Sequence, residues 1–94
     1  NEQPKVNKAE ARKIAAQRRI EYAPLAKKIK EAEEIVAKLQ KRIQAIEAEF
    51  GNSSSSPDQM RKLGMDKTDA QNKLAMAEEN WLTLSDEYEM KMSA

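Results

Sequence analysis

At 100° per residue, Lys5, Lys8, Arg12 and Arg19 fall within a stripe about 60° wide on one face of a helix. Lys13 and Arg18 flank that stripe, and Lys27, Lys28 and Lys30 carry positive charge on beyond Pro24. Cationic side chains lined up along a helix are the electrostatic footprint for a phosphate backbone, because each neutralised phosphate releases its condensed counterion. Tyr22 is the only aromatic interleaved with these groups, so stacking on bases is poorly supported. The contacts expected are to phosphates and largely independent of base sequence. Lys and Arg are also ordinary solubilising residues of helix surfaces, and composition alone leaves both readings standing.

Other chemistry finds little to work with. The chain has no cysteine and no histidine, which removes disulfides, thiolate nucleophiles, the usual zinc ligands and the proton shuttle of neutral pH. Both glycines are isolated, so no glycine-rich phosphate loop is present. The acidic pairs Glu33/Glu34, Glu78/Glu79 and Glu87/Glu89 are the remaining candidates for acid–base or metal chemistry. Beside a helical seam they would stand in water, where neither burial nor a pocket tunes a carboxylate. A solvated helix face is the expected reading, with no catalytic residue, no metal and no cofactor in this chain.

The elements that position the basic residues follow from composition and period. Charged residues make up 35% and hydrophobic ones 39% of 94 residues, with a single Trp, a single Phe and two Tyr. Such a composition fits long helices with a thin linear core better than a globular one. No apolar run approaches the ~18 residues that cross a bilayer, so no membrane partner is expected. The start at Asn1 in place of Met predicts a fragment of a longer protein. Net charge is +1, but residues 1–30 hold nine basic against three acidic groups, and the remainder holds eight against thirteen. That asymmetry points one end of the molecule at an anionic partner.

Two stretches carry an apolar 3-4 repeat. The first is Leu25, Ile29, Ala32, Val36, Leu39, Ile43, Ile46 and Phe50; the second is Met60, Leu63, Lys67, Ala70, Leu74, Ala77, Trp81, Leu84 and Tyr88. An average period of 3.5 keeps a narrow seam against a partner helix. The fold expected is therefore all-α: an antiparallel two-helix coiled-coil hairpin preceded by a short basic helix. Residues 1–23 form the basic segment, with its helix over Lys8–Tyr22, and residues 24–94 form the hairpin. Pro24 predicts a break near Tyr22–Ala23 and suits the first turn of the next helix. Gly51 stands where a left-handed cap is wanted. Ser56-Pro57-Asp58-Gln59 reads as a capping box that restarts the chain. Gly64 weakens the third helix, and Thr68-Asp69-Ala70-Gln71 offers a second box, which together extend the tip over about 51–66.

The register that fills every layer pairs Leu25 with Tyr88, Ile29 with Leu84, Ala32 with Trp81, Val36 with Ala77 and Leu39 with Leu74. It continues through Ile43 with Ala70, Ile46 with Lys67 and Phe50 with Leu63, setting the only Trp against the only Ala of the first seam. Slipping one heptad pairs Leu25 with Trp81 and strands Phe50. Two seams of matched length joined by a short link predict a monomer. Trp81, Leu84 and Tyr88 occupy seam positions and are expected in the core; with Leu82 they otherwise form a docking patch. Lys67 alone breaks the apolar series and either snorkels outward or fixes register.

The run "KAEARKIAAQRRIEYAPLAKKIKEAEEIVAKLQKRIQAIEAEF" and the ending "AEENWLTLSDEYE" resemble the C-terminal domain of ABC-F type, Uup-like ATP-binding proteins over about residues 8–90. The Pro24-Leu25 step, the position of the tip and the Trp81 ending carry the likeness. The resemblance implies a cytoplasmic protein with ATP bound in two upstream ATPase domains. It also implies a nucleic-acid-binding domain: DNA in the Uup-like branch, ribosomal RNA or the ribosome in translation-associated members. The family's basic residues correspond to Lys8, Arg12, Lys13, Arg18, Arg19, Lys27 and Lys28. A structural arm packed on those ATPase domains is the rival reading.

Overall fold

The computed structural model describes residues 7–52 and 55–93, so Lys5 lies outside the described residues. Three helices account for nearly all of them: α1 (Lys8–Glu21), α2 (Ala23–Phe50) and α3 (Pro57–Ser93). Asn7 caps α1, its side-chain oxygen accepting from the Glu10 amide at 2.8 Å. At Tyr22 the backbone leaves the helical region (φ −103°, ψ 11°), and Pro24 sits in the first turn of α2. The Tyr22 amide still donates to the Arg18 carbonyl and the Ala26 amide to the Tyr22 carbonyl. The junction is thus a bend that keeps its hydrogen bonds.

In α2 the residues shielded from solvent are Leu25, Ile29, Ala32, Val36, Leu39, Ile43, Ile46 and Phe50, and every other position is exposed. The 3.5 period is therefore the packing face itself. In α3 all nine seam positions are at least partly shielded, as is Met92 one turn beyond Tyr88. Two helices cover only one stripe of each other, which leaves Ala32, Ile46 and Ala70 as the buried core among the described residues.

Contacts at both ends fix an antiparallel register. At the base, Arg18 reaches the Met92 carbonyl and Lys91 lies over Tyr22; near the tip, Lys67 meets Glu47 and Phe50. Between them Ile29 shares a hollow with Ser85 and Tyr88, and Val36 shares one with Trp81. These neighbours match the register with Ala32 opposite Trp81. A one-heptad slip would move each by ~10 Å along the helix axis.

The tip differs from expectation in two respects. Gly51 is right-handed (φ −77°, ψ −5°), and its amide donates to the Ala48 carbonyl at 3.2 Å. The chain leaves α2 by tightening its last turn, which needs no left-handed residue. The non-helical link is also shorter than 51–66, because α3 starts at Pro57 and runs unbroken through Gly64 and Thr68. Its start is the Ser56–Gln59 box: the Ser56 amide donates to Gln59 Oε1 at 2.8 Å and the Gln59 amide to Ser56 Oγ at 3.2 Å. Thr68 forms no second box, its hydroxyl donating instead to the Gly64 carbonyl one turn back at 3.1 Å.

Candidate nucleic-acid interface

The longest dimension of the molecule is 76 Å, whereas the 37 residues of α3 span only ~55 Å. The difference is α1, which continues outward past the base of the hairpin. No residue of α1 is buried. Arg18 and Tyr22, four residues apart on one side of the helix, tie it to the end of α3.

Lys8, Arg12, Lys13, Arg19, Lys27, Lys28 and Lys30 are all exposed. None has an ion-pair partner among the described residues, where the pairs are Arg61–Asp58, Lys67–Glu47, Lys73–Asp69 and Lys91–Glu87. Lys8, Arg12 and Arg19 keep to one face of α1, as their spacing requires. Their charges remain uncompensated within the described part of the fold.

Arg18 behaves differently from the other basic residues. It is half-buried, and its Nη1 donates at 3.2 Å to the carbonyl of Met92. The last carbonyls of a helix lack intrahelical partners and carry the negative end of the macrodipole, so a guanidinium is well placed there. Beside it Lys91 Nζ lies 5.6 Å from the Tyr22 ring centroid and 2.9 Å from Glu87 Oε2. The Glu87 carboxylate, by hydrogen bond and by charge, holds the Lys91 ammonium above its ordinary lysine value. Together these contacts hold α1 to the hairpin. Periodicity groups Arg18 with its basic neighbours; only the bend at Tyr22 brings it to the end of α3.

The acidic pairs Glu33/Glu34, Glu78/Glu79 and Glu87/Glu89 stand on exposed helix faces, and of the six only Glu87 takes part in an ion pair among the described residues. Among those residues no acidic group of three is arranged to hold a metal ion. Trp81, Leu84 and Tyr88 are seated in the seam while Leu82 is exposed, so the far end is mainly core with one apolar residue outside it. Among the described residues no helix is long and apolar enough to cross a membrane. No protein-family profile, curated protein or solved structure matches this chain.

Proposed function

We propose that this chain is a non-catalytic nucleic-acid-binding arm, in which α1 and the first turns of α2 follow the phosphate backbone of duplex DNA and the hairpin sets reach and orientation. The observation that carries this reading is the row of unpaired cations on a helix that projects from the base. A helix whose cationic face makes no ion pair with its own carboxylates, here Glu10 and Glu21, keeps much of its potential for phosphates. The resemblance to the C-terminal domains of ABC-F ATPases supports the same assignment. It would place the arm in a cytoplasmic protein, downstream of ATP-binding domains whose nucleotide cycle could move it.

The test is binding of this chain to duplex DNA, single-stranded DNA and structured RNA, measured over a range of salt. Four to six phosphate contacts give a log-log slope of about −4 to −5 for duplex, with little dependence on base sequence. Preference for structured RNA would move the reading to a ribosome-contacting arm. Absence of binding to all three nucleic acids at low salt would leave a structural arm that docks on a protein domain.

A further inference from the structure

An open groove of about 380 Å³ runs between α2 and α3, lined by Glu33, Val36, Gln40, Glu78, Trp81 and Leu82. Its floor is apolar, and Leu82 on its edge remains 53% exposed. The Trp81 indole N–H is shielded from solvent and has no acceptor among the described residues. Around this layer stand Glu31, Glu33 and Glu34 on α2 and Glu78 and Glu79 on α3, all exposed and none in an ion pair among the described residues. Between Leu74 and Met90 α3 carries five carboxylates and no basic residue. The hairpin thus presents a half-apolar groove about midway along its length, with an acidic band along α3 and, on α2, three glutamates set between Lys27, Lys28, Lys30 and Lys38.

We infer that the groove receives α1 of a second copy, in a two-fold dimer whose hairpins point in opposite directions and overlap at their bases. Three observations select this occupant. Charge is complementary, since the uncompensated cations of α1 and the uncompensated carboxylates of the band belong to the same chain. Length agrees, because the part of α1 beyond the end of its own α3, Lys8 to Arg18, is ~15 Å long, close to the ~16 Å from Glu78 to Glu89. Spacing agrees as well, because Lys8 to Arg19 and Glu78 to Glu89 are both eleven residues apart, ~16 Å along a helix. In that register the aliphatic stem of Arg12 would cover Trp81 and Leu82 with its guanidinium near Glu33 and Glu78, while Arg19, seven residues on, would meet Glu89. A two-fold axis makes both α1–groove contacts at once. The seam is filled within one chain, so this association uses the outer face and is reversible.

Sedimentation of the purified chain without nucleic acid tests the inference independently of any role in DNA binding. A dimer is expected at low ionic strength and a monomer at about 0.5 M salt, where screening reaches only a few ångströms. Substituting Arg12→Glu and Arg19→Glu in one chain, and Glu33→Lys, Glu78→Lys and Glu79→Lys in another, should leave each chain alone monomeric. All five positions are exposed, so helix content should be retained, which circular dichroism of each variant checks. Mixing the two reversed chains should restore a dimer, because each α1 then meets a band of opposite sign. A chain that stays monomeric at low salt, a dimer that survives either set of reversals, or a mixture that fails to reassociate would each overturn the inference.

Discussion

The ammonium of Lys67 lies 5.8 Å from the centroid of the Phe50 ring and 3.2 Å from Glu47 Oε2. A lysine that interrupts an apolar seam is thereby held against the one Phe of the chain and a carboxylate on the facing helix. Its side chain is 32% exposed, so the stem packs and the charge stays near water. Such partly exposed contacts contribute about 0.2–1 kcal/mol each. Lys67→Leu exchanges them for additional apolar burial of similar size, and the variant should melt within a few degrees of the parent at low salt. At high salt it should become the more stable of the two, because only the parent loses a screened ion pair. Thermal melts at two ionic strengths decide this. A large loss on Lys67→Leu under both conditions would mean that the lysine fixes the register.

Leu39 and Leu74 face each other in mid-seam and are both half-shielded. Replacing either by Ala should cost about 2–3 kcal/mol, the lower part of the range for leucine truncation, since a two-helix seam never encloses a side chain fully. Ile35→Ala, at a position 51% exposed, should change stability by less than about 0.5 kcal/mol. Urea titrations of the three variants would show the contrast, and equal losses would mean that the seam is not the core.

Gly64 lies inside α3 in right-handed backbone, and an added Cβ there meets nothing within 4 Å. Gly64→Ala should therefore stabilise the hairpin by about 0.5–1 kcal/mol, by reducing the freedom of the unfolded chain and favouring helix. Ser56→Ala should act in the opposite direction by about 1 kcal/mol, because it removes the acceptor of the Gln59 amide. Thermal midpoints moving the same way for both variants would contradict this account of the tip.

These positions also mark what a linear reading can and cannot reach. The seam was legible because burial on a helix repeats with the turn: eight apolar positions of α2 are its eight shielded residues. The Ser56–Gln59 box was legible because its partners are three residues apart. Gly64 and Thr68 misled because local break signals of about 1 kcal/mol act against the packing of a whole helix face, which prevails. Gly51 needed no left-handed turn because the link could leave through a tightened last turn. Lys67 and Arg18 depend on residues more than fifteen positions away, which only register and the bend at Tyr22 bring near. The basic stripe was legible as a stripe; its projection beyond the hairpin was not.

Arg18 and Arg12 should separate positioning from phosphate contact. Arg12 and Arg19 are exposed and unpaired among the described residues, whereas Arg18 already donates to the Met92 carbonyl. If the stripe binds phosphates, Arg12→Ala with Arg19→Ala should weaken duplex binding for all sequences alike and flatten the salt slope by about two units. Arg18→Ala should change that slope by less than about one unit, since a guanidinium occupied by a carbonyl releases few counterions. Its loss should instead loosen α1 from the hairpin, seen as faster amide exchange from Arg18 through Tyr22. Equilibrium binding at four or five salt concentrations, with exchange measured on the free protein, resolves the two roles. An Arg18→Ala slope as flat as that of the double variant would make Arg18 a phosphate ligand. Unchanged binding in the double variant, with loss of binding on changing the tip serines, would move the interface to the opposite end of the hairpin.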